Sequence, residues 1–125
     1  MSDDIIGTGQ SIVLETGGQQ VLARLDNTRV ARAFNQLLPL TVSLSDFGAD
    51  TEKIGDLPTA LPVGDAPAGY TPAAGDIAYY APWGNLAIFL EPFRHADDLV
   101  RLGRVEDGFE ALQRKSEIAV VIRSE

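Results

Sequence analysis

Five of the nine aromatic side chains in this 125-residue chain fall between positions 79 and 93: Tyr79, Tyr80, Trp83, Phe89 and Phe93. Rings at that density offer large, stiff contact area at small entropic cost. Just beyond them stands the only histidine, His95, in FRHADDL, with Glu91, Asp97 and Asp98 close by. A histidine beside a carboxylate can serve acid–base chemistry or a hard cation. One histidine without a second ligand motif argues against a metal, so neither metal nor cofactor is expected. Glu91 is placed to orient His95 or to pair with Arg94. The candidate ligand-binding residues are therefore Tyr79, Trp83, Phe89, Phe93 and His95, with no catalytic residue assigned. Core packing competes for the same rings, most strongly for Tyr79 and Phe89. Trp83 lies in a turn beside Pro82 and Gly84, where burial is hardest.

Other chemistries lack their residues. There is no cysteine, which excludes a disulfide framework, a thiolate zinc site and a cysteine nucleophile. No serine stands in a nucleophile-elbow pattern. The GTG at residues 7–9 lacks the lysine and spacing of a phosphate loop.

The elements that must position the aromatic cluster are mostly short strands. Tyr79 and Tyr80, adjacent on a strand, must point to opposite faces. Ala87 and Phe89 share one face of the next strand, and Leu86, Ile88 and Leu90 the other. Upstream, Ser11–Leu14 and Gln20–Leu25 flank a glycine-bearing turn. A helix is expected next: Asp26, Asn27 and Thr28 can cap it, Val30, Ala33, Phe34, Leu37 and Leu38 recur at helical spacing, and Pro39 ends it. Leu40, Val42 and Leu44 alternate with polar residues as a strand, and an edge strand is expected near Glu52–Ile54. Four of the seven prolines lie between Gly55 and Gly75, a stretch long enough to act as a flap or a cover. Leu99–Val105 reads as a strand. A short helix should follow, opened by an Asp107/Glu110 capping box and closed by Arg114 and Lys115. Glu117–Arg123 reads as a last buried strand. The length predicts one domain over residues 1–125, with residues 1–10 flexible. Many short strands with two short helices predict a mainly β, closed antiparallel barrel.

Eighteen acidic against ten basic side chains give a net charge of −8. That field repels nucleic-acid phosphate and anionic membrane surfaces. The opening MSDDIIGTGQ is acidic and lacks a long apolar run, so a soluble cytoplasmic protein is expected.

The second half, GDIAYYAPWGNLAIFL then VRLGRVEDGFEAL then EIAVVIRS, resembles the cyclophilin-like proteins. LGRV (Leu102–Val105) stands where their F-G-x-V strand falls, and Phe89 looks like the aromatic that lines the proline pocket. ARAFNQLLPLTVSLSDF and the later DLP resemble a group of short bacterial and archaeal members. The resemblance runs from about Val21 to the end and implies a closed eight-stranded cyclophilin-like barrel with two helices. Prolyl isomerases of this fold use an arginine that donates to the prolyl nitrogen as amide resonance breaks. The matching strand here, LTVSLSDF (Leu40–Phe47), has no arginine, lysine or glutamine. A hydrogen bond to a charged group is worth about 1.5–3 kcal/mol, or about one to two powers of ten in rate. Arg94, Arg101 or Arg104 would have to substitute.

The function expected is a noncatalytic binding module. Its hydrophobic groove would be framed by Tyr79, Trp83, Phe89 and Phe93, with residues 55–75 as a flap. Its ligand would be an extended peptide segment or a small apolar molecule, with self-association into a homo-oligomer left open. The rivals are a degenerate peptidyl-prolyl isomerase, another small enzyme using His95 and a carboxylate, and a structural subunit of a multisubunit enzyme.

Overall fold

The computed structural model describes residues 8–47, 51–64, 69–113 and 117–125. Eight strands follow in chain order: β1 (Ser11–Thr16), β2 (Gln19–Leu25), β3 (Leu40–Phe47), β4 (Glu52–Asp56), β5 (Asp76–Tyr80), β6 (Asn85–Phe89), β7 (Leu99–Asp107) and β8 (Ile118–Ser124). All pair antiparallel and close in the order β1-β2-β7-β5-β6-β4-β3-β8. Closure leaves no free sheet edge. The β1–β2 turn works because Gly17 and Gly18 adopt φ of 56° and 78°, the positive pair that a tight two-residue hairpin needs.

Alternation sets the two faces of the barrel. Leu14, Val21, Leu44, Ile77, Tyr79, Leu86, Ile88, Leu102 and Val120 point inward and form one continuous apolar core. A helix, α1 (Arg29–Asn35), adds Val30, Ala31 and Phe34 to it. At the other end of β2, a 3-10 turn (Phe109–Leu112) adds Ala111 and Leu112. The interior also holds a charge pair. Lys53 lies opposite Ile88 and, with 0% exposure, faces inward beside it; its ammonium contacts Asp46 at 2.6 Å.

Several expectations change. The second helix is a single 3-10 turn, and its capping box does not form. Asp107 is instead the last residue of β7, paired with Leu22. Gly108 takes the cap position at φ 80°, packed against the Gln20 carbonyl where no side chain would fit. The expected cations at its end, Arg114 and Lys115, lie outside the described residues, as do most of the residues expected to be flexible at 1–10. Only Thr28 caps α1 by the hydrogen bond described, its hydroxyl accepting from the Ala31 N–H, because Asp26 turns away to Arg101. β4 is not an edge strand: it pairs with β3 on one side and β6 on the other.

Candidate functional site

The outward-facing aromatic residues gather on the outer face of β3, β4, β6 and β5. Its residues line up in rows across the strands. In one row Glu52 stands directly between Phe47 and Phe89. The next holds Ser45, Ile54, Ala87 and Ala78. A third holds Asp56, Asn85 and Tyr80. Phe89, Ala78, Ala87 and Leu99 form a small apolar cluster outside the barrel, with Ile54, Tyr70, Tyr80, Phe93 and Ala96 packed on it.

The four-residue turn after β5 carries Trp83 back toward this face. It closes through Gly84, whose N–H donates to the Tyr80 carbonyl at 2.9 Å and whose φ is 66°. Trp83 is 58% exposed, yet it is held. Phe47 meets it edge-on at 5.6 Å between ring centroids, and Tyr80 does so at 5.3 Å. Such pairs contribute about 0.5–1.5 kcal/mol beyond area burial. Phe47 is itself exposed. At the far side Phe93 leans on Phe89 at 5.9 Å, and the Arg94 guanidinium lies 4.7 Å over the Phe93 ring.

Two polar groups on this face are short of partners. Glu52 is only 8% exposed, and among the described residues its carboxyl has neither a hydrogen bond nor an ion pair. Burial raises its pKa above the ordinary carboxyl range. The buried Oδ1 of Asn85 likewise finds no donor among the described residues.

The two loops bordering the face are tied to each other and to the barrel. Tyr70 and Ala96 form an isolated antiparallel bridge, and Phe93 N–H donates to the Pro72 carbonyl. Leu61 is buried and donates its N–H to the Tyr79 hydroxyl at 3.1 Å. Beneath Tyr70 lies a charge knot. Arg101 donates through Nε to Asp26 and through a terminal nitrogen to Asp76, both at 2.8 Å; Asp76 also accepts from Ala73 N–H and from the Tyr70 hydroxyl. Burial, and then the Asp76 charge, pushes the Tyr70 phenol far up. For Arg101, burial pulls the pKa down, but the Asp26 hydrogen bond and the two carboxylate charges outweigh it, and the net shift is upward. The described parts of the Gly55–Gly75 stretch thus cover the barrel, starting from a Gly55 that belongs to β4.

The expected site residues divide. Trp83, Phe89 and Phe93 share the outer face. Tyr79 does not: at 1% exposure it fills the barrel interior and cannot frame a groove. His95 is exposed on the loop, with Nδ1 3.5 Å from the still more exposed Asp97. Its nearest described carboxylate is therefore Asp97 rather than Glu91. Sequence reasoning missed Phe47, Tyr80 and Glu52 as site residues. Alternation announced that one of Tyr79 and Tyr80 faces outward, but not which. Phe47 and Glu52 come from strands distant in sequence, whose register no local pattern announces.

Away from the aromatic cluster, a concavity of about 380 Å³ opens where β3 and β4 part beyond Ser45 and Ile54. Thr41, Ser43, Ser45, Asp56 and Glu117 line it, and the Ser43 hydroxyl donates to Glu117 at 2.5 Å. Gly55 allows the close approach there, since a Cβ would meet the Val42 side chain at 2.5 Å.

A closed eight-stranded antiparallel barrel with one helix, carrying its aromatic face on the outside, defines a cyclophilin-like class of protein. The model of the cyclophilin-like family matches residues 14–123, and the chain belongs to that family. A solution structure of a hypothetical protein from Archaeoglobus fulgidus shares the fold, with a TM-score of 0.74 at 18% identity over 95% of this chain and 97% of that one. No curated protein matches. Among the described residues, no helix is long and apolar enough to cross a membrane.

Proposed function

We propose that this protein is a noncatalytic binding module whose outer aromatic face receives an extended peptide segment or a small apolar molecule. The observation that carries the reading is Trp83. A large ring is held out in solvent by two edge-on neighbours, Phe47 and Tyr80, beside the apolar cluster around Phe89. Prepositioned aromatic area of this kind is what interface anchors share. Isothermal calorimetry with proline-containing apolar peptides tests it. Binding to the wild type should weaken at least about tenfold in Trp83→Ala and in Phe47→Ala. Unchanged affinity in both variants removes the reading.

One observation favours a second reading. A prolyl isomerase needs a cationic donor facing the rings. Arg101 is engaged by two carboxylates and Arg104 reaches the Ala74 carbonyl, but Arg94 lies against Phe93. Turnover of a proline-switch peptide that disappears in Arg94→Ala would establish that activity in place of simple binding.

A further inference from the structure

The partner's chemistry can be narrowed beyond "apolar", on the reading that the outer face binds. Glu52 lies in the middle strand of that face, flanked in register by Phe47 on one side and Phe89 on the other. As a residue Glu52 is 8% exposed, and no described donor or cation pairs with its carboxyl. The nearby charges already have other places. Lys53, the next residue, points the opposite way and pairs with Asp46 inside the barrel. Arg94, on the adjoining loop, lies over Phe93. Glu91, on the same loop, is exposed and acidic, and Asp56 lies one row beyond Ile54.

A carboxylate largely shielded from water and without a described partner costs free energy unless a cation or a strong donor arrives. Here the surroundings favour a cation in two ways. Aromatic faces attract ammonium and guanidinium groups, and Arg94 over Phe93 is an instance on this same face. The molecule's charge of −8 also draws cationic partners toward it.

We infer that Glu52 is the receptor for a lysine or arginine side chain of the bound segment, its charge accepted by the Glu52 carboxylate and its methylenes lying over the exposed ring of Phe47. The ligand is thus an extended peptide with apolar residues on Trp83 and one basic residue at Glu52. An uncharged apolar guest would leave the carboxylate unpaired.

The test uses two synthetic peptides of equal length and apolar content, one with a central lysine and the other with norleucine in its place. Trp83 is the only tryptophan, so its fluorescence reports occupancy directly. The lysine peptide should bind at least about tenfold more tightly to the wild type, as a charge-assisted contact implies. Glu52→Gln should erase that preference while norleucine-peptide binding persists. Equal affinity of the two peptides for the wild type overturns the inference and leaves the aromatic-face reading standing. A lysine preference that survives Glu52→Gln overturns it too, placing the cation elsewhere. Binding of neither peptide overturns both.

Discussion

At the scale of single residues, Glu52 and Trp83 bring opposite demands. Burial raises the pKa of Glu52's carboxyl from an ordinary 4.5, so the charged form is costlier in the folded chain than in the unfolded one. A raised folded pKa contributes stability that is present below the unfolded value and lost as pH rises through the folded one. Glu52→Gln should therefore raise the melting temperature near neutral pH by a few degrees and give no advantage near pH 3. Thermal melts at the two pH values read this out. A residue that weakens the fold while serving a ligand is a common exchange at binding sites. Trp83→Ala should cost about 1 kcal/mol or less in urea unfolding, because the ring is mostly exposed and loses only its two edge contacts. Much of this was legible in the sequence. A tryptophan between Pro82 and Gly84 announced an exposed turn, and the Tyr79/Tyr80 pair announced one inward and one outward ring. Which tyrosine faced in was not legible, since both faces of the strand bear apolar residues and only the closure of the barrel decides between them.

At the scale of elements, the knot around Arg101 ties β7 to the end of β2 and to the start of β5. Asp26, Asp76 and Arg101 are all largely buried. Removing the cation leaves two buried carboxylates facing each other with no guanidinium between them. Arg101→Ala should cost about 3–5 kcal/mol by urea denaturation. Residues 69–74 should exchange their amide protons faster in that variant, because Tyr70 and Ala73 are held through Asp76. Gly55→Ala should cost about 1–3 kcal/mol, since its Cβ would be driven into Val42 and the Ser43 carbonyl. The elements themselves were largely readable, because period-two alternation over β2 and β3 is strong and β6 is a continuous apolar run. The Asp26 partnership was not readable: an aspartate just before a helix looks like a cap, and a strand 75 residues away claims it. The 3-10 turn fell short of a helix for a similar reason, as pairing with β2 carries β7 through Asp107.

At the scale of the molecule, closure of the barrel explains why the proposed binding face is outside. Phe34, Tyr79, Leu86, Ile88 and their neighbours fill the interior, leaving ligands the outer surface and its loops. The family's fold was visible through GDIAYYAPWGNLAIFL and LGRV, but a groove lined by Tyr79 presumed an interior with room to spare. The net charge of −8 acts on the whole surface. Added salt screens self-repulsion, so the melting temperature should rise modestly between low and about 0.5 M sodium chloride, while binding of a basic peptide should weaken over the same range.

The most direct measurement is a nitrogen-15 NMR titration of the labelled protein with the lysine-bearing peptide. The account predicts shifts concentrated at the Trp83 indole N–H and the amides of Phe47, Glu52, Tyr80 and Phe93. Shifts confined to Thr41, Ser43, Asp56 and Glu117, along the cleft between β3 and β4, would contradict it.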